Sequence, residues 1–434
     1  MKKFKKRYLL VLLLLCCVGV VYAMLISKLS ITGGGRIKGN DWNVVFRNIN
    51  ESNGSVEGTA EVIGSTGITF NADLEKPGDY YEFSVDVANI GSLDAMVSNY
   101  AFEGIDNIKE LVKFDVSYID GVSINKTDRL ASMEEETLLI RMEYRKDIDQ
   151  SDLNQDDIEI NVKFEMDYIQ DDGSSQERLK SLKNNLITEV KNVNGLVFNK
   201  TISSGEEGVY KLNNSYFFRG GEINNNVVID DVCYYVIRTT EEGNIRLLYN
   251  GELTESGCNN ENKFIGESVF NSDVANANYE DSEIRNVLLN WYNMNLIKYD
   301  NSIIDGYCSD TRMVDGEYYN KLKSENGIID LDCNNVINDK VGLMSIDEIL
   351  MVGYGRNGSY KSYLDANKGF YSMSIYSNKS NKVRVISIDE YASKDSVLLD
   401  TSLGVRPVIT INGNAGYSSG DGSIQNPYVI SLKV

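Results

Sequence analysis

The chain has 434 residues, 43 basic against 64 acidic, and a formal net charge of −21, which argues against nucleic acid or anionic lipid as a partner because both are polyanions. It contains no histidine, and this excludes Ser-His-Asp and Cys-His catalysis, H-E-x-x-H zinc chemistry, imidazole-ligated haem and a pH switch near neutrality. A polypeptide of this length outgrows one ordinary core, so two domains behind an N-terminal segment are the expectation.

Residues 8–27, YLLVLLLLCCVGVVYAMLIS, carry no charge and as a helix would span about 30 Å, the thickness of a bilayer's hydrocarbon core. Lys2, Lys3, Lys5, Lys6 and Arg7 precede them, and the positive-inside rule keeps such a cluster in the cytoplasm. The same stretch fits a secretory signal with cleavage after Val21-Tyr22-Ala23. Anchor and cleaved signal both export the rest: a single-pass membrane protein with its C-terminal part outside, or a secreted cell-surface protein. A lipoprotein fits less well, because Leu15 stands before Cys16 where a small residue is wanted. The exported part keeps 38 basic against 64 acidic residues, a charge of −26.

From residue 31 to about 67 the chain is rich in glycine and asparagine around one apolar patch, Trp42 to Phe46. Three runs then alternate with the period of half-buried strands. They are Tyr81, Phe83, Val85 and Val87; Leu138, Ile140, Met142 and Tyr144; and Ile158, Ile160, Val162, Phe164, Met166 and Tyr168. Lys76-Pro77-Gly78-Asp79 reads as a turn, proline presetting φ and glycine accepting a positive φ. With almost no helical periodicity between them, these runs predict an all-β antiparallel sandwich over 31–170. The acidic run 145–157 lacks the glycine and the final glutamate of a calcium-binding EF-hand loop, so it reads as a solvated turn. Residues 171–195 read as a polar linker followed by a short amphipathic helix on Leu179, Leu182, Leu186 and Val190.

The pattern Leu74-Glu75-Lys76-Pro77-Gly78-Asp79, followed by Asn89-Ile90-Gly91-Ser92-Leu93-Asp94-Ala95, resembles that of the TasA and camelysin-type proteins of Gram-positive bacteria. The resemblance covers about thirty residues. It implies an exported sandwich domain and, for its fibre-forming members, self-association by β-strand addition, here through residues 24–31. The same segment also fits a spacer strand closing its own sheet. Camelysin's metallopeptidase activity does not carry over to a chain without histidine.

Beyond about residue 196 the sequence becomes tyrosine-rich mixed α and β. A hairpin is predicted over residues 232–250, turned at Glu242-Gly243-Asn244. One helix shows on Ile284, Val287, Leu288 and Trp291, and another opens on the capping box Ser345-Ile346-Asp347-Glu348 and ends at Gly353. Strands are predicted over 405–411 and 428–432. Outside the apolar segment stand four cysteines, Cys233, Cys258, Cys308 and Cys333. In an oxidising exterior they form two disulfides, and the equal spacing favours Cys233 with Cys258 and Cys308 with Cys333, each worth roughly 3 kcal/mol. Zinc is a poor rival without histidine or a C-x-x-C pair.

Taken in order, the phrases at 233–240, 248–251, 307–312, 341–348, 371–374 and 404–409 are similar to a domain of surface proteins from gut Firmicutes. That domain has the C-type lectin-like α+β fold shared with the formylglycine-generating enzyme and the Fibrobacter paralogous domain. The resemblance spans nearly all of residues 205–434. It departs at Tyr371-Ser372-Met373-Ser374, where relatives carry tryptophan, then threonine or serine, then proline.

Gly353-Tyr354-Gly355-Arg356-Asn357-Gly358 fits G-x-G-x-x-G as text but follows a helix rather than a strand, so it reads as a helix end and loop. Gly416-Tyr417-Ser418-Ser419-Gly420 fits G-x-S-x-G but has no histidine base, and reads as a turn. Tyr354, Tyr360, Tyr363 and Tyr371, with Phe370 and Tyr376, offer sugar-stacking faces, against the plainer reading of an aromatic core. No cofactor and no metal is expected. The sequence predicts a non-catalytic surface protein binding a glycan or another surface protein. A matrix fibre subunit and a carboxylate-dependent enzyme are the alternatives.

Overall fold

In the computed structural model the residues described are 41, 43–52, 54–106, 109–146, 148, 158, 160–198, 202–221, 223–308, 312–314, 317–319, 329, 331, 333, 336–353, 362–377, 384–388 and 394–433. The apolar stretch 8–27, most of the acidic run 145–157, Tyr354 and Tyr360 lie outside them. Among the described residues no helix is long and apolar enough to cross a membrane.

The chain is predominantly β, with mostly antiparallel sheets. Its first part uses nine strands: β1 Val44–Ser52, β2 Gly58–Ile63, β3 Gly67–Ala72, β4 Tyr80–Asn89, β5 Ala95–Glu103, β6 Val112–Tyr118, β7 Arg129–Leu130, β8 Glu135–Tyr144 and β9 Lys163–Gln170. One sheet runs β1-β4-β8-β6, a second β7-β5-β9, and β2 pairs with β3. The alternation of β4 and β8 sets their register. Phe83 lies opposite Ile140 and Val85 opposite Leu138, and all four are buried together with Val116 and Val97 from the two sheets. At about 1.5–3 kcal/mol for each such side chain, this layer is the main source of cohesion in the first half.

The turn at Lys76–Asp79 forms as expected: Asp79 N donates to Lys76 O at 2.9 Å and Gly78 has φ +97°. The run beginning at Ile158 becomes a strand only from Lys163, where pairing with β5 begins, and Phe164, Met166 and Tyr168 are half-buried rather than buried.

The segment expected to be a linker is built into the structure. Arg178 pairs with Asp120 at 2.9 Å and Glu136 at 2.8 Å of the sandwich, and its guanidinium lies over the Tyr118 ring. Leu179 packs against the sandwich core, whereas Leu182 and Leu186 of helix α1, Leu182–Leu186, are buried in the second core. Val190 is exposed in a short strand and takes no part in a helical face. Residues 42–434 accordingly form one compact unit with separate hydrophobic clusters.

The second part is built on the predicted hairpin, Val232–Thr239 against Ile245–Glu252. The strand Val408–Ile411 pairs on one side of it, and Asn226–Ile229 followed by Tyr428–Ile430 extend the sheet on the other. Gly416–Ser419, expected as a turn, is a strand between Lys180–Ser181 and Tyr428–Ile430. Two helices pack on these sheets. Helix α2, Glu283–Asn295, starts where the Ser282 side chain accepts from Arg285 N, and buries Ile284, Leu288 and Tyr292 at every fourth position. Helix α3, Ile346–Val352, has both halves of its capping box and is buried on every side.

Candidate functional site

The hairpin places Arg238 and Arg246 directly opposite each other, just beyond an irregularity in the strand pairing. Like charges facing across a strand pair repel, so this arrangement needs a counter-charge. Glu348 supplies it from the first turn of α3. Its Oε1 lies 2.9 Å from Arg238 Nε and 2.5 Å from Arg246 Nε, and its Oε2 accepts from Ser345 N at 3.1 Å. One carboxylate thus serves two cations and a helix cap at once.

These groups form the floor of a polar cleft of about 350 Å³, within the range of about 300–1,000 Å³ typical of small-ligand sites. Tyr307 forms part of the floor, its ring centroid 4.5 Å from the Arg246 guanidinium carbon and its hydroxyl donating to Val408 O at 2.9 Å. The pair Cys308–Cys333 lies along one wall, while Glu241, Glu242 and Asp305 stand exposed at the rim.

Burial alone would raise the Glu348 carboxyl, but the charges of Arg246 and Arg238 and the Ser345 N–H outweigh it and hold the group below the ordinary glutamate value. Arg238 is lowered, first by burial and then by its neighbour Arg246, although Glu348 opposes the change. The floor therefore sets two guanidiniums around one carboxylate, with Asp347 beside them.

Arg246 is the member whose capacity is left over. It is 5 % exposed, and its Nε contact with Glu348 is too poorly directed to be a hydrogen bond. Its side chain makes no hydrogen bond among the described residues. Its Nε is buried beside the Glu348 carboxylate without a directed hydrogen bond, and its remaining donors are available to a ligand acceptor in the cleft.

The tyrosines singled out in the sequence do not converge here. Tyr363 is 3 % exposed and donates its hydroxyl to Phe218 O at 2.9 Å, while Tyr371 is 1 % exposed with its hydroxyl on Thr401 O. Both rings are core, as are Phe370 and the strand through Ser374, whose hydroxyl accepts from Ile346 N at the start of α3. The sugar-stacking expectation is therefore corrected for Tyr363 and Tyr371: packing has used both faces of each ring. Cys233, Cys258, Cys308 and Cys333 lie at disulfide distance in the favoured pairing, Cys233 with Cys258 and Cys308 with Cys333, Cα atoms 5.6 and 5.4 Å apart.

Among the described residues no group of three or more His, Cys, Asp or Glu side chains is placed to hold a metal. Asp171, near the start of the polar linker, turns its carboxylate onto Gly173 N and Ser175 N instead. Sequence reasoning passed over both arginines, yet a signal existed: they stand symmetrically about Glu242 in the predicted hairpin turn, which sets them opposite each other.

No protein-family model matches the chain. No curated protein matches it either.

Proposed function

We propose that the chain is an exported, cell-surface binding protein of a Gram-positive bacterium. In this reading a TasA-like sandwich supports a C-type lectin-like domain that takes its ligand in the Arg238–Arg246–Glu348 cleft without chemical turnover. One observation carries the site assignment: Arg246 is buried at the floor of an open polar cleft, ion-paired to Glu348 but with no side-chain hydrogen bond among the described residues. Export is supported by the uncharged stretch 8–27 behind its basic cluster and by the two cysteine pairs, since disulfides persist in oxidising surroundings. The β-rich architecture supports the sandwich.

The test is display of the full chain on cells probed with glycan and peptide arrays, wild type beside Arg246→Gln. Specific binding abolished by the substitution is the expected result. Binding that survives Arg246→Gln would overturn the assignment of the cleft, and hydrolysis of an array compound would overturn the non-catalytic reading.

A further inference from the structure

We infer that the cleft selects an amino-carboxylate, its carboxylate on Arg246 and its ammonium toward the acidic rim; this rests on the reading of the cleft as the ligand site. The inference comes from the way charge is layered with depth. At the floor stand two guanidiniums and two acidic residues, of which Glu348 has its oxygens already taken by Arg238, Arg246 and Ser345 N. Asp347 also lines the cleft and is 1 % exposed, with its own interactions. The planar fork of Arg246 matches a carboxylate's two oxygens, and its guanidinium carbon lies 4.5 Å from the Tyr307 ring centroid.

At the mouth the sign reverses. Glu241, Glu242 and Asp305 are exposed and form no ion pair among the described residues. A plain anion must pass three carboxylates to reach the arginines, and each repels it over roughly a Debye length, about 8 Å at physiological ionic strength. A plain cation is held at the rim but meets guanidinium below. Only a ligand with both charges, the negative end leading, turns both layers into attraction. Free amino acids and peptides ending in a free carboxylate with an amine nearby share this chemistry.

The experiment titrates the full chain by calorimetry with 2-aminobutanoate, butanoate, butylammonium, glucuronate and inorganic phosphate, and with a tripeptide having a free C-terminus and its amidated form. We expect 2-aminobutanoate to bind about tenfold more tightly than butanoate, with butylammonium, glucuronate and phosphate weaker still. Arg246→Gln should remove the binding. The triple change Glu241→Gln, Glu242→Gln, Asp305→Asn, confined to exposed side chains, should bring 2-aminobutanoate and butanoate to within about threefold. Stronger binding of the free-ended than of the amidated tripeptide identifies a peptide terminus as the source, and equal, weak binding of both identifies the free amino acid.

Butanoate, glucuronate or phosphate binding as tightly as 2-aminobutanoate overturns the inference. So does a triple variant with unchanged preference, which stays informative if Arg246→Gln fails to fold. If array binding depends on Arg246 while no amino-carboxylate competes, this inference fails and the proposed function stands. If Arg246 is irrelevant to every ligand, both fail.

Discussion

In the sandwich, loops are tied to the core by buried carboxylates. Asp79, 5 % exposed, accepts from Glu75 N and Lys76 N at 3.1 and 3.0 Å, and Asp128 accepts from Asn125 N and the Tyr118 hydroxyl. In the second part of the chain the sign is reversed. Arg219 donates to Leu350 O and Met351 O in the last turn of α3, and Arg406 donates to Tyr249 O and Leu364 O. The difference follows from what each fold leaves unpaired. Tight turns between antiparallel strands present N–H groups inward, whereas the arginines meet carbonyls at a helix end, in a turn at Leu364 and at Tyr249 inside a strand. Burying a charge is costly in either case, and both parts offset that cost with backbone dipoles rather than with a second charge alone.

If that contrast is right, removing one buried charge should loosen one half and spare the other. The largest effect is expected for Arg406→Leu, which leaves two buried carbonyls without this donor and should cost about 3 kcal/mol or more by urea denaturation. Hydrogen exchange should accelerate in the strand Ile245–Glu252 and remain slow in β4; acceleration in both would break the comparison. Replacing Cys233 and Cys258 together by alanine should cost about 2–3 kcal/mol, again in the second part of the chain alone, because the sandwich holds no cysteine. Asp79→Ala should cost about 1–2 kcal/mol, with fast exchange appearing first at Glu75 and Lys76.

Acid should separate the halves without any substitution. Glu348 lies below its ordinary value in the folded state, so its stabilisation is complete above about pH 4.5 and is lost as pH falls through the folded value. Asp128 lies above its ordinary value, chiefly because of burial. Its contribution is complete below that ordinary value and is lost as pH rises through the folded one. Acidification should therefore change the fluorescence of Trp291, which packs edge-on against Tyr249, before exchange quickens in β4. The reverse order would count against the contrast. The smallest effect is expected for Arg141→Gln on the sandwich surface. Its pairs with Glu82 and Glu143 are one-fifth to one-third exposed, and their loss should move stability by no more than about 0.5 kcal/mol.

The sequence made the layers readable wherever side-chain period alone decides the outcome. The β4 and β8 alternation, the Lys76–Asp79 turn, the hairpin and the α3 capping box are local patterns, and each formed. Ile158 to Val162 alternate as well as any strand, yet a strand also needs a neighbour, and β5 offers pairing only from Lys163. Buried arginines were illegible for a different reason. A charged residue reads as surface unless its partners are known, and the partners of Arg219 and Arg406 are backbone atoms far away in sequence. The same distance hid the candidate site. Glu348 was visible as a cap, but its contact with residues 238 and 246 depends on how α3 docks on the hairpin. Counting aromatic residues, conversely, leaves a binding face and the plainer core both open at Tyr363 and Tyr371, and packing makes a core.

The strand Tyr428–Ile430 lies beside Asn226–Ile229 in parallel, with Val227 opposite Tyr428. Partners some two hundred residues apart cannot meet until the later one has been synthesised, and closing so long a loop is slow. During synthesis the sandwich can mature while this sheet still lacks an inner member. Apolar surface and unpaired edges then stay open to capture by other chains for the whole interval. The second half is thus the stage at which quality control of newly made molecules matters most, and where truncation would yield aggregates rather than a shortened, working domain.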